Sequence, residues 1–235
     1  MTAPERLHDL AARHRLGDAE RTRLAALLEL LATDVRAPSA VTASDEAVDI
    51  HVADSLSALG VSAVRDARRI ADIGSGAGFP GLVLAIALPD AEVALVESNR
   101  RRCDFLERAL TLTGAHNARV VCARAEAWPA GLGGQDLVTA RAVGSLALLC
   151  EYAAPLLAVG GTLVAWKGTA TDVERAAGDR AARELGLEPG AVLRTEPYTG
   201  SAGHHLHMYI KRADTPSSFP RRPGVARKRP LGVNP

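Results

Sequence analysis

Aromatic side chains are scarce in this chain: Phe, Trp and Tyr together make up 3% of 235 residues. A core must therefore be built from Leu, Val, Ala and Ile. Cysteine is also rare. Cys103, Cys122 and Cys150 are scattered and form no C-x-x-C pair. An odd, dispersed set argues against a disulfide framework or a zinc site, so the expectation is three small apolar residues in a reducing compartment. No apolar run approaches the ~18 residues of a membrane-spanning helix. The N-terminal stretch carries Glu5, Arg6, His8 and Asp9 and no apolar core of signal type. The expected location is the cytoplasm, with no membrane partner and no stable protein partner.

Net charge is nearly absent too, at +1, and does not announce a nucleic-acid partner. Its distribution is uneven. Lys211, Arg212, Arg221, Arg222, Arg227, Lys228 and Arg229 are opposed in that stretch only by Asp214. Such a tail either contacts phosphate or is a solvated surface arm, and charge alone leaves both readings open.

What is present is ordinary globular composition, with 47% hydrophobic and 23% charged residues. One domain, or at most two, fits that length. The pattern divides into three regions. Residues 1–67 read as a helical extension, with Leu24, Leu27, Leu28 and Leu31 on one helix face. After Pro38-Ser39, Thr42 with Asp45 reads as the start of a second helix, whose apolar stripe is Val48, Val52, Leu56 and Leu59. Residues 68–212 alternate strand and helix: strands at 69–73, 92–97, 119–123, 136–139 and 162–166, with helices at 82–88, 100–112, 145–158 and 172–185 between and after them. This predicts an α/β fold with a mostly parallel open sheet. Two last strand-like runs, 191–195 and 206–211, have no room for a helix between them and should pair antiparallel at the edge. A seven-stranded, Rossmann-like sheet closed by an antiparallel hairpin is the class I methyltransferase plan. Residues 213–235 read as a basic C-terminal arm.

The chemistry-bearing motif is Asp72-Ile73-Gly74-Ser75-Gly76-Ala77-Gly78-Phe79-Pro80-Gly81. Gly74 and Gly76, directly after the first strand, permit a tight turn and let a ligand lie on bare peptide. Gly76, Gly78 and Gly81 also satisfy the dinucleotide pattern G-x-G-x-x-G. That match starts late, and the antiparallel hairpin does not belong to a two-half dinucleotide fold. Glu97 closes the second strand, where a carboxylate can accept both hydroxyls of a ribose. Ala125-Glu126, after the third strand, can meet an adenine edge, or Glu126 can pair with Arg124 or Arg141. Arg141, at the tip of the fourth strand, suits either a cofactor carboxylate or a guanine O6. Lys167 suits a target phosphate or is a surface cation. His51 and Asp54 line the cleft or form a helix-surface pair.

Absences narrow the reaction. Methylation at a pyrimidine carbon needs a Cys nucleophile, and none stands at the end of the fourth strand. The Asn/Asp-Pro-Pro-aromatic motif of adenine-amine chemistry is replaced by Thr139-Ala140-Arg141-Ala142. What remains is attack by an exposed ring nitrogen, and guanine N7 carries a lone pair and no proton. No catalytic base, nucleophile or metal is then expected.

His51-Val52-Ala53-Asp54-Ser55-Leu56, Asp72 to Gly81, Arg124-Ala125-Glu126, Asp136 to Ala142, Trp166-Lys167-Gly168 and Phe219 to Gly224 occur here in one order across nearly the whole chain. In these stretches the chain resembles the bacterial 16S ribosomal RNA guanine-N7 methyltransferases, also called glucose-inhibited division protein B. The family's Asn-Leu-Thr segment here reads Ala40-Val41-Thr42. The resemblance implies S-adenosylmethionine held by Gly74, Phe79, Ala125, Glu126 and Arg141. It also implies a cytoplasmic enzyme acting on the decoding-region loop of 16S rRNA, free or in the small ribosomal subunit. His51, Arg141, Lys167, Arg221 and Arg222 are the candidate substrate contacts. A methyltransferase for another RNA or a small molecule, and a non-catalytic RNA-binding module, are the alternatives.

Overall fold

The computed structural model describes residues 2–232. Helix α1, Ala3–His14, opens with a capping box in which the Thr2 amide donates to Glu5 at 2.8 Å. Helix α2, Asp18–Thr33, buries Leu24, Leu27, Leu28 and Leu31 on its expected face. The next helical segment differs from its sequence pattern. It begins at Ser44 rather than at Thr42 and runs as α3 (Ser44–Ala47), a π-helical stretch (Val48–Ala53), α4 (Asp54–Leu56) and a 3-10 turn (Ser57–Gly60). Val48, Val52 and Leu56 are fully buried as the stripe requires. The π geometry has no composition signal; it widens the backbone where His51 and Asp54 turn inward. Helix α5, Ser62–Arg65, leads into the sheet.

The strands are β1 (Arg69–Ile73), β2 (Glu92–Glu97), β3 (Ala118–Cys122), β4 (Gln135–Arg141), β5 (Leu157–Lys167), β6 (Leu187–Thr195) and β7 (His204–Lys211). Between and after them lie α6 (Gly81–Ala87), α7 (Arg100–Thr113), α8 (Leu146–Ala153), α9 (Asp172–Glu184) and α10 (Val225–Lys228). The sheet order is β3-β2-β1-β4-β5-β7-β6. β1 to β5 are parallel, and β7 pairs antiparallel with both β5 and β6. The expected hairpin therefore forms, with a register shift between Pro189 and Val192 on the edge strand, where a missing amide does least harm. One expected boundary moves. Helix α8 stops at Ala153, and β5 begins at Leu157, where a continuing helix was anticipated. Pro155 has no amide to donate back into the helix, so the ladder of α8 cannot continue through it.

Side chains alternate across the sheet with period two. Val93 and Leu95 join a core formed with α1, α2, the π segment, α6 and α7. Ala94 and Val96 join a second core under α8, α9 and the C-terminal arm. Strand order reverses between β2-β1 and β4, which leaves a crevice beyond the carboxyl ends of β1 and β4. Among the described residues no helix is long and apolar enough to cross a membrane.

Candidate active site

The turn after β1 is built on glycine geometry. Gly74 has φ +69°, and a Cβ there would stand 2.7 Å from Val143 Cγ2. Its amide donates to Val96 O at 2.8 Å, which fixes the turn against β2. The Gly76 amide donates to Glu97 Oε2 at 3.2 Å, and Glu97 Oε1 accepts from the Asn99 amide at 2.8 Å. Asn99 in turn caps α7 through the amides of Arg101 and Arg102. Glu97 is thus a buried carboxylate, 4% exposed, held at the end of β2 by the Gly-rich turn on one side and the start of α7 on the other. Asp72 lies behind them. It accepts from the Gly81 amide at 3.1 Å and from Thr139 Oγ1 at 2.8 Å, while full burial pushes its pKa up to about 6.

Gly74, Glu97, Ala125, Glu126, Ala142 and Arg227 are among the residues lining a cleft of about 160 Å³. A second cleft of about 380 Å³ is lined by Asp54, Arg141, Ala142, Trp166, Lys167 and His204, among others. The two share Ala142. This residue has φ +58°, an uncommon conformation for an L side chain, at the point where they meet.

Arg141 lines the second cleft, while Phe79, expected at the cofactor, is buried behind it and lines neither cleft. The Phe79 ring stacks on His51, with centroids 4.4 Å apart and planes at 11°, and the Arg141 guanidinium lies 5.6 Å from its centroid. Arg141 donates to Ile50 O at 2.8 Å and to Asp54 Oδ2 at 2.9 Å, and its other terminal nitrogen lies 3.0 Å from His51 Nδ1. His51 Nε2 is 3.1 Å from Val41 O and 3.0 Å from Ser39 Oγ. Burial, then the Arg141 charge, hold the His51 pKa down at about 4. His51 is therefore a neutral ring donating from Nε2 and accepting at Nδ1. Asp54 also meets His204 Nδ1 at 3.1 Å, and its carbonyl accepts from Trp166 Nε1 at 3.0 Å. Lys167 is paired with Glu174 at 2.7 Å and donates to Gly144 O.

A family model described as GidB, rRNA small subunit methyltransferase G, matches residues 24–197. The chain belongs to this family. A ribosomal RNA small subunit methyltransferase G of Rubrobacter xylanophilus is 42% identical over 223 residues, covering 91% of this chain and 85% of that protein. Its counterpart in Symbiobacterium thermophilum is 39% identical, covering 82% of each. Among solved structures, a predicted O-methyltransferase of Agrobacterium tumefaciens aligns with TM-score 0.53 at 26% identity, covering 70% of this chain and 81% of that one. An S-adenosylmethionine-dependent O-methyltransferase of Thermotoga maritima aligns with TM-score 0.53 at 18% identity, covering 68% and 65% respectively. The fold is that of a class I methyltransferase.

In this family member Gly74, Glu97, Ala125 and Glu126 line one cleft, with Gly76 bonded to Glu97 at its edge, and Arg141 and Lys167 line the other. His51 and Phe79 line neither; they stack on each other beside Arg141. The basic arm stands apart from both simple readings. Arg221 grips buried Glu151, with Nε donating to Oε1 at 2.6 Å, and packs on Phe219. The Gly224 amide donates to Glu126 Oε1 at 3.0 Å, so Glu126 already holds the arm. Arg222, Lys228 and Arg229 remain exposed. The sequence reading missed His204 and Ser39, which come from distant segments and carry no motif, and gave Trp166 no role although it stands in one of the matching stretches.

The cysteine expectation is corrected. Cys103 and Cys122 are joined as a disulfide pair, with Cα atoms 5.8 Å apart, and only Cys150 is free and buried. Their spacing of 19 gave no sign of this. Helix α7 and its turn carry the chain back so that β3 ends beside the start of the same helix.

Proposed function

We propose that this chain transfers the methyl group of S-adenosylmethionine to N7 of a guanine in the decoding-region loop of 16S rRNA, in the cytoplasm, on free rRNA or the small ribosomal subunit. The observation that carries this reading is the meeting of two unlike clefts at Ala142. One is floored by glycine and walled by the Glu97 carboxylate; the other is walled by Arg141, Asp54 and Trp166.

The first cleft's donor set fits the cofactor. Bare peptide at Gly74 and Gly76 would lie against its chain, Glu97 would accept the ribose hydroxyls, and Ala125-Glu126 would border the adenine. When bound, S-adenosylmethionine supplies a methyl group already activated on a sulfonium. Guanine N7 loses no proton on methylation, so the protein's task is orientation. The Arg141 side chain lies toward the second cleft, which supports a role with the base over a role with the cofactor carboxylate. His51 has both ring nitrogens engaged and a depressed pKa, which fits a scaffold rather than a general base.

A groove of about 640 Å³ runs from α1 to the β6–β7 connection; in it Arg6 is paired with Asp49 and Arg194 with Glu196, and Arg13 and Tyr198 also line it. Tyr198 stands edge-on to His204, with centroids 5.8 Å apart, which links this groove to the second cleft and suits splayed single-stranded nucleotides. The test is to map N7-methylguanosine on 16S rRNA from cells with and without the gene. Loss of one modified guanine on deletion, restored by complementation, supports the proposal; an unchanged map defeats it.

A further inference from the structure

We propose that Cys103 and Cys122 form a thiol modification site for low-molecular-weight disulfides, and that their bond latches the ribose side of the cofactor cleft. The second half rests on the reading of that cleft given above. Cys122 is the last residue of β3 and stands opposite Glu97 in the parallel register. Cys103 lies in the first turns of α7, with its sulfur 3.2 Å from the Glu97 carbonyl oxygen. The Cα separation of 5.8 Å lies inside the range a disulfide spans without backbone movement.

The two states differ at the site. As a free thiol Cys103 donates to the Glu97 carbonyl; as a disulfide it has no proton to donate and is tied to β3 instead. The bond also joins the segment that starts Ala123-Arg124-Ala125-Glu126 to the helix whose cap, Asn99, and first-turn Arg102 lie against the Glu97 carboxylate. Both walls of the cleft are then fixed to each other, and less freedom is lost when a ligand enters.

Access is asymmetric. Cys122 is exposed, while Cys103 is 2% exposed. The Cys122 thiolate attacks oxidised glutathione, forming a mixed disulfide and releasing one glutathione thiolate. The Cys103 thiolate then attacks the Cys122 sulfur and releases the second. One small disulfide is reduced to two thiols, two protein thiols become one disulfide, and two protons are released to the leaving thiolates. Excess reduced glutathione runs the exchange backwards.

The experiment treats the full chain with oxidised or reduced glutathione and identifies the Cys103–Cys122 peptide by mass spectrometry. Calorimetry with S-adenosylmethionine follows on each form. A crosslinked peptide and at least fivefold tighter binding in the oxidised form are expected. Cys122→Ser, at an exposed position, should bind like the reduced wild type and ignore the redox treatment; Cys103→Ser, whose hydroxyl can still donate to the Glu97 carbonyl, should also ignore the treatment. Failure of the crosslink to form overturns the site. Equal affinity of crosslinked and reduced protein overturns the latch. Absence of binding in every form, with the crosslink present, overturns the cofactor reading and the latch together while supporting the thiol site.

Discussion

The Arg141 guanidinium donates to the Asp54 carboxylate at 2.9 Å, tying the tip of β4 to the helical segment that follows the π turn. The two side chains are 18% and 4% exposed, so the pair is largely desolvated. Removing one partner of such a pair strands the other charge at a cost of about 3 kcal/mol. Arg141→Ala should therefore lower stability by about that amount in urea unfolding. Methyl transfer should fall on the order of 100-fold, since the second cleft loses its shape. Asp54→Asn in the Arg141→Gln background should add little to the single change, because both act on one contact. Strict additivity would separate the two residues.

Gly74→Ala should weaken S-adenosylmethionine binding at least tenfold. Its positive φ disfavours any Cβ by about 1 kcal/mol, and the added carbon meets Val143 at 2.7 Å. Calorimetry measures the loss, and a thermal melt verifies that the variant folds. Normal binding by a folded variant would remove Gly74 from the site.

His51 makes a pH prediction. Its folded pKa of about 4 lies below the ordinary 6.5, so the unfolded chain takes up the proton first as pH falls. The stability contributed by the buried neutral ring is complete above about pH 6.5 and is lost between there and pH 4. Relative to His51→Gln, wild type should lose about 3 kcal/mol of its advantage between pH 7 and pH 4. Because guanine N7 has no proton to lose and the sulfonium methyl is already activated, single-turnover methylation should show no titrating step across about pH 6 to 9 and should survive a chelator. A tenfold rise with one clear pKa in that window would make His51, or another ionising group, a participant.

The basic arm should split into two behaviours. Arg221→Ala should destabilise the fold by about 3 kcal/mol, because Glu151 is 3% exposed and loses its bidentate partner. Arg222→Ala with Lys228→Ala should leave the melt unchanged. If these two meet phosphates, the pair should flatten the salt dependence of RNA binding by about 0.7 units per lost contact. An unchanged slope would make the exposed cations a solvated surface.

Much of this was legible in the chain. Strand and helix alternation gave the parallel sheet, and the short gap after Thr195 gave the antiparallel hairpin. The glycine run after Ile73 gave the first cleft, because its turn depends on local backbone geometry. What was not legible depends on long-range return of the chain. The π turn at Val48–Ala53 has no composition signal, and Pro155 outweighed the apolar run that suggested a longer α8. His204 reaches Asp54 only through the hairpin, across 150 positions. Cys103 and Cys122 meet only because α7 folds back on β3. Arg221 read from the sequence as a candidate substrate contact, and only the fold shows it paired with Glu151, a buried residue of α8.

The most direct measurement is transfer of labelled methyl from S-adenosylmethionine by the purified chain to 16S rRNA and to small subunits, followed by nucleoside digestion. Label is expected in 7-methylguanosine alone, with Arg141→Ala reducing it on the order of 100-fold. Label in any other nucleoside, or none on either substrate from a protein that binds the cofactor, would contradict guanine-N7 transfer.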